Sequence, residues 1–205
     1  MGESDARTRL LEASLPLFAT KGYKAVSFKE ISEAAGVNGA LINYYFKSKD
    51  GLYGAVLESQ FSKFNSLMAQ PDLAELEPIE RIQRFIDNFI ELHRSNQYIR
   101  RLMTSELNHP SHYFDQMAPE YITRFSGYLI QTLEEGKQKG QFRADLEPAC
   151  AAAIVVGMVN YFFLAEPVVL KFLANAPAQD VWDSFGAQAV TICLEGILRP
   201  GYQRK

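Results

Sequence analysis

Along this chain the apolar residues recur at the i, i+3, i+4 and i+7 spacing of an amphipathic helix. No stretch alternates apolar and polar residues over strand length between turn signals. Residues 5–21 carry Leu11, Leu15 and Phe18 on one face and stop at Lys21-Gly22, where glycine supplies the left-handed residue that ends a helix. Ser27 reads as the N-cap of a short helix over 28–35, and Glu30 three residues on completes a capping box. Gly36 breaks that pattern, Asn38 can cap a helix to Phe46, and Ser48 can cap one from Lys49 to about Met68. Residues 70–78 form a hinge by composition, with Pro78 suited to the first position of the next helix. Longer helices follow at roughly 78–94, 97–107, 119–139, 148–174 and 178–198. Their breaks fall at Ser95-Asn96, Asn108-His109-Pro110, Gly140 with Pro148, and Asn175 with Pro177. The pattern predicts an all-α chain: a three-helix N-terminal module over 1–50, then a larger helical domain over 51–205.

Two short helices joined through Gly36-Val37 make the helix-turn-helix pattern, because glycine relieves the steric cost of the tight turn. Ile31, Ala34, Val37, Ile42 and Phe46 are spaced to form the small core that sets the angle between them. Gly39, Ala40, Asn43 and Tyr45 then face outward, and small residues at the first turn let a helix end sit deep in a major groove. The Asn43 amide can pair with an adenine edge, and Tyr45 can reach a phosphate or a thymine methyl. Lys29, Lys47 and Lys49 are natural phosphate contacts, joined by the backbone N–H donors of the Ser48-capped helix start.

The run RTRLLEASLPLFATKGYKAVSFKEISEAAGVNGALINYYFKSKDGLY (7–53) resembles the N-terminal domain of TetR-family transcriptional regulators over about a quarter of the chain. Ala13, Leu17, Phe18, Lys21, Gly22 and Tyr23 match the family's first helix, and Val26-Ser27 through Gly36-Val37 its second helix and turn. Tyr44, Tyr45, Phe46, Lys49 and Leu52 match the closing signature. The resemblance implies DNA contacts at Ser27 and Lys29, at Gly39, Ala40, Leu41, Asn43 and Tyr45 in the recognition helix, and at Lys49. Gly39 and Asn43 depart from the family's usual residues, so the operator cannot be borrowed from relatives. Pro16 lies inside the first helix and removes a backbone hydrogen bond, predicting a kink or local distortion rather than loss of the helix.

The resemblance also implies that the larger domain binds a small effector and dimerises. Residues 148–165 hold no charge, long enough to consider a membrane span, but Pro148, Asn160 and the flanking Glu147 and Glu166 argue against one. A helix apolar on every side needs burial on every side, which a second copy of the chain supplies. With the last helix it resembles the pair that builds the family's dimer interface, giving Cys150, Ile154, Met158, Phe185, Ala189, Ile192 and Cys193 as interface residues. Both cysteines read as small buried hydrophobes.

For the effector, the middle of the domain is rich in aromatics and methionine, and 103–117 concentrates polar groups beside a helix break. Candidate ligand contacts are Phe89, Met103, Glu106 and His109, followed by Tyr113, Phe125, Tyr128 and Phe162. No cofactor and no metal are expected: His109, His112 and Asp115 match no zinc spacing. No nucleophile elbow, phosphate loop or carboxylate dyad points to catalysis.

Composition changes this picture little. The 205 residues are 47% hydrophobic and 12% aromatic, enough for a substantial core. Two cysteines fit a reducing cytoplasm, and the acidic N-terminus is unlike a signal peptide. The net charge of −3 opposes nucleic acid as a partner, yet residues 1–50 carry 7 Lys and Arg against 6 Asp and Glu. So lightly basic a surface needs two copies to hold DNA. The reading is therefore a cytoplasmic, homodimeric, ligand-responsive repressor of a palindromic operator, with no catalytic residue. The alternative is a small-molecule-binding or enzymatic helical protein with a degenerate helix-turn-helix.

Overall fold

The computed structural model describes residues 3–68, 73, 75–172 and 177–201. Its long elements are all helices: α1 (Glu3–Lys21), α2 (Phe28–Ala35), α3 (Ala40–Phe46), α4 (Lys49–Met68), α5 (Pro78–Ser95), α6 (Gln97–Asn108), α7 (His112–Gln138), α8 (Pro148–Phe172) and α9 (Ala178–Ile197). A 3₁₀ turn (Tyr23–Ala25) links α1 to α2. Among the described residues no strand occurs, only an isolated antiparallel bridge between Phe142 and Leu198. The all-α expectation holds.

Two compact units are formed, Met1–Lys63 with Asn96–Glu120, and Phe64–Ser95 with Tyr121–Lys205. The first reaches beyond a module ending at residue 50, because its core is completed from α6 and the head of α7. Leu102, Phe114 and Ala118 are buried in one cluster with Leu10, Phe18, Ile31, Ile42 and Leu52. Each fully buried Leu or Ile of this kind contributes about 1.5–3 kcal/mol.

Local chemistry sets the ends of the short helices. The Ser27 hydroxyl accepts from the Glu30 N–H at 3.2 Å and the Glu30 carboxylate accepts from the Ser27 N–H at 2.8 Å, so the capping box is complete. Gly36 has φ 61° and ψ 38°, the left-handed conformation the turn demands. The Asn38 side chain accepts from the Ala40 N–H at 2.9 Å, at the entrance of α3.

Several expectations are corrected. Ala34 is exposed and Ala35 is buried in its place, since Ile31 and Ala35 are four apart and share the inner face of α2. Gly22 has positive φ but ψ of 155°, so it turns the chain without the left-handed helical geometry. The expectation that the helix survives Pro16 stands, since α1 runs to Lys21. α7 starts at His112 rather than 119 and passes through Pro119. Ser111 caps it, its hydroxyl accepting from the Phe114 N–H at 3.2 Å, and buried Phe114 and Ala118 anchor the turns around the proline. Residues 70–72 and 74 of the hinge, and Asn175, lie outside the described residues.

In the second unit Ile82, Phe85, Ile86, Leu129, Leu133, Val159 and Leu194 are almost fully buried. Backbone bonds from Arg143 to Ile197 and from Arg199 to Gln141, both 2.9 Å, tie the end of α9 to the loop after α7. Arg81 pairs with Glu135, while Lys139 bridges Glu135 at 3.0 Å and Glu77 at 3.1 Å.

Candidate nucleic-acid interface

α3 is seven residues long and shows which face it offers. Ile42 is fully buried and Phe46 nearly so, four residues apart on the inner side. The opposite stripe is Ala40, Asn43, Tyr44 and Lys47, all exposed. Leu41 and Tyr45 stand at the edges, partly buried against the core. Ala40 and Asn43 thus point outward as the sequence predicts, whereas Leu41 and Tyr45 are drawn inward. Tyr44, 63% exposed, and Lys47 take their place on the open face. The signal for both was the i, i+3, i+4, i+7 series opposite Ile42 and Phe46.

Lys47 has φ 70°, an uncommon left-handed conformation for a residue with a side chain. It ends α3 at the point where the chain must turn to start α4. The Gly39 backbone opens α3 in helical conformation, with no side chain to obstruct a groove.

The remaining predicted contacts divide between open and committed groups. Lys29 projects from the first turn of α2, its side chain 84% exposed and only loosely paired with Glu33 at 3.8 Å. The Ser27 hydroxyl is occupied by the capping box, accepting from the Glu30 N–H and donating to its carboxylate at 2.8 Å. Lys49 turns inward: its ammonium donates to the carbonyls of Tyr23 at 3.0 Å and Val26 at 2.9 Å, and sits over the Tyr23 ring. It secures the entrance of α2 instead of standing clear for a phosphate. Two arginines of α1, absent from the sequence expectation, support the same face. Arg9 donates to the Gly36 carbonyl at 3.1 Å and Arg7 lies over the Phe46 ring.

Glu30 is the most perturbed group here. The Lys21 ammonium at 2.6 Å, then the Ser27 N–H and hydroxyl, hold its carboxyl down to about 2. The ion pair and the capping box therefore lock the start of α2 from two sides.

The eight candidate effector contacts fall into two groups. Met103, Glu106, His109 and Tyr113 belong to the first unit, and Phe89, Phe125, Tyr128 and Phe162 to the second. Glu106 is buried and both its oxygens are bonded, to the Tyr53 hydroxyl and to the Ser111 N–H, while His109 is exposed. Met103 and Tyr113 pack against the core around α1 and α4. In the second unit Phe89, Phe125 and Phe85 form an aromatic group, with Phe85 stacked on Phe125 at 5.8 Å. Phe162 stacks on Phe185 at 3.7 Å. The buried Tyr128 hydroxyl meets no partner at hydrogen-bond geometry, and burial raises its pKa.

The interface candidates also separate. Ile154, 70% exposed, lies on an apolar stripe of α8 with Tyr161, Leu164, Val168 and Phe172, and Ile192 of α9 is equally open. Cys150 is exposed, correcting the expectation of two buried cysteines, and Met158 is half-buried. Phe185 is occupied by Phe162. Ala189 and Cys193 are 2% and 9% exposed, turned into the core of their own chain. Burial pushes the Cys193 thiol up to about 11. Among the described residues no His, Cys, Asp and Glu grouping suits a metal.

Residues 10–56 match the family model of bacterial regulatory proteins of the tetR family, and residues 78–197 match the C-terminal domain of the HTH-type transcriptional dual regulator CecR. The HTH-type transcriptional repressor NicS of Pseudomonas putida is 25% identical over 82% of this chain and 80% of its own length. The HTH-type transcriptional repressor KstR2 of Rhodococcus jostii is 23% identical over 97% and 94%. The structure of the ketosteroid transcriptional regulator KstR2 of Mycobacterium tuberculosis superposes with a TM-score of 0.73, at 20% identity, over 94% of this chain and 95% of that one.

Proposed function

This chain belongs to the TetR family of bacterial regulatory proteins, and from that premise we propose a homodimeric repressor that two copies of α3 seat on a palindromic operator. It is a DNA-binding transcriptional regulator, not an enzyme. The observation that carries the finer reading is the outward stripe Ala40, Asn43, Tyr44 and Lys47, set opposite a buried Ile42 and Phe46. Asn43 reads a base edge, Tyr44 and Lys47 reach the backbone, and Lys29 adds a phosphate contact from α2. Gly39 and Ala40 allow close approach, while Leu41 and Tyr45 seat the helix. Ser27 and Lys49 hold α2 in place.

Dimerisation is supported by the α8 stripe, where five large apolar side chains from Ile154 to Phe172 are more than half exposed. By length and composition α8 could also cross a membrane. Its place inside the matched regulator domain favours a partner helix as the covering surface. Two copies give the two half-sites that so lightly basic a module needs. The repressor reading is supported by the names of NicS and KstR2. A small, partly apolar effector is supported by the aromatic group around Phe89 and Phe125, and would release DNA by favouring another spacing of the two α3 helices. Such a protein works in the cytoplasm, where its DNA is.

The test is electrophoretic retardation of the DNA flanking its own gene, with sedimentation to count copies. Retardation by a dimer supports the reading, and a chain that stays monomeric or leaves that DNA unshifted at low salt ends it.

A further inference from the structure

Glu106, 2% exposed, is buried more completely than any other carboxylate among the described residues. Taking a carboxylate out of water costs stability, and an apolar side chain of similar size would fill the same space without that cost. The geometry around it explains what the charge adds. One oxygen accepts from the Tyr53 hydroxyl on α4, and the other from the backbone N–H of Ser111 at 2.8 Å, the residue that caps α7. A single group on α6 therefore holds α4 and α7 by directional bonds.

The contact is close as well as directional. Beside Tyr53 on α4 stands Gly54, where a methyl group would come within 2.6 Å of the Tyr113 ring. Tyr53 is itself 3% exposed, edge-on to Phe18 at 5.0 Å and tilted against Tyr23 at 4.9 Å. Tyr23 carries the Lys49 ammonium, which bonds the Val26 carbonyl, and Ser27 beyond it caps α2. A continuous set of contacts thus runs from Glu106 to the first residue of the helix-turn-helix.

We propose that Glu106 is a positioning residue for DNA binding, a latch that fixes the α6–α7 corner on α4 and, through Tyr53, Tyr23 and Lys49, sets the angle at which α2 and α3 meet DNA. Whatever draws the corner away from Tyr53 lowers operator affinity. The proposal deepens the DNA-binding reading above and rests on it. Apolar packing alone lets helices slide by fractions of an ångström, whereas two bonds to one carboxylate fix both distance and direction. Burial and the Glu106 bond also raise the Tyr53 phenol, keeping it a hydrogen-bond donor across the ordinary pH range.

The test separates geometry from stability. The probe is the duplex that the parent protein selects from a random-sequence pool. Tyr53→Phe keeps the ring and removes one bond, and the double variant Tyr53→Phe with Glu106→Leu replaces the latch by apolar packing. Each is checked for helix content and melting temperature, then titrated with the duplex well below its melting point. The expected result is that both fold and the double variant binds about tenfold more weakly, with Tyr53→Phe between it and the parent. A folded double variant with the parent's affinity overturns the latch. So does failure of both variants to fold, because the carboxylate is then needed for the fold itself. A parent protein that selects no duplex overturns the DNA-binding reading instead.

Discussion

Lys49 folds back over the Tyr23 ring, its ammonium 4.5 Å from the ring centroid and 3.0 Å from the Tyr23 carbonyl. A cation held this way is a fastener between α4 and the entrance of α2. Lys49→Met keeps the stem and removes the charge, leaving the Tyr23 and Val26 carbonyls without their donor. It should lower stability by about 1–3 kcal/mol, read by thermal denaturation. The salt dependence of DNA binding should stay as steep as in the parent, since a direct phosphate contact is not lost. A stable variant whose salt slope falls by about one would reverse that assignment.

Acid should loosen the start of α2. Glu30 has its pKa depressed from 4.5 to about 2, first by Lys21 and then by the Ser27 cap. A depressed folded-state pKa means the contribution is complete above 4.5 and is lost as pH falls toward 2. Melting temperature should therefore fall more steeply across that window in the parent than in Glu30→Gln, and the two curves should converge at its acid end. Parallel curves would show that the carboxylate contributes nothing there.

The open face of α3 predicts two different kinds of loss. Asn43→Ala should cost about 1–3 kcal/mol on the selected duplex and relax preference at one base position. Lys47→Ala should weaken binding to all duplexes alike and reduce the salt slope by about one. Competition titrations against point-substituted duplexes distinguish the two. Equal behaviour of both variants would remove Asn43 from base recognition.

The α8 stripe predicts a change in assembly with little change in folding. Ile154 and Tyr161 are 70% and 71% exposed, so Ile154→Glu with Tyr161→Glu leaves the core of the chain intact. Sedimentation should show a monomer with retained helix content, and affinity for the palindromic duplex should collapse. A variant that remains dimeric would place the interface elsewhere.

The N-terminal module was legible in detail because its signals are local. Ser27 with Glu30, Gly36 and Asn38 act within four residues of themselves, and each does in the structure what its chemistry requires. The polar cluster over 103–117 was less legible for the opposite reason. Its composition resembles a binding site, and whether a carboxylate is free or bonded depends on a tyrosine 53 positions away.

Most of the helices, the Gly36 turn and the family resemblance were readable from the chain alone, since periodicity and caps act over a few residues. Which polar and small side chains are spent on distant partners was settled by tertiary packing. Packing turned Lys49 inward to the Tyr23 and Val26 carbonyls and buried Ala189 and Cys193 in their own core. Bonding of this kind is set by the packing of distant segments, and spacing within one helix does not encode which distant group a side chain will meet.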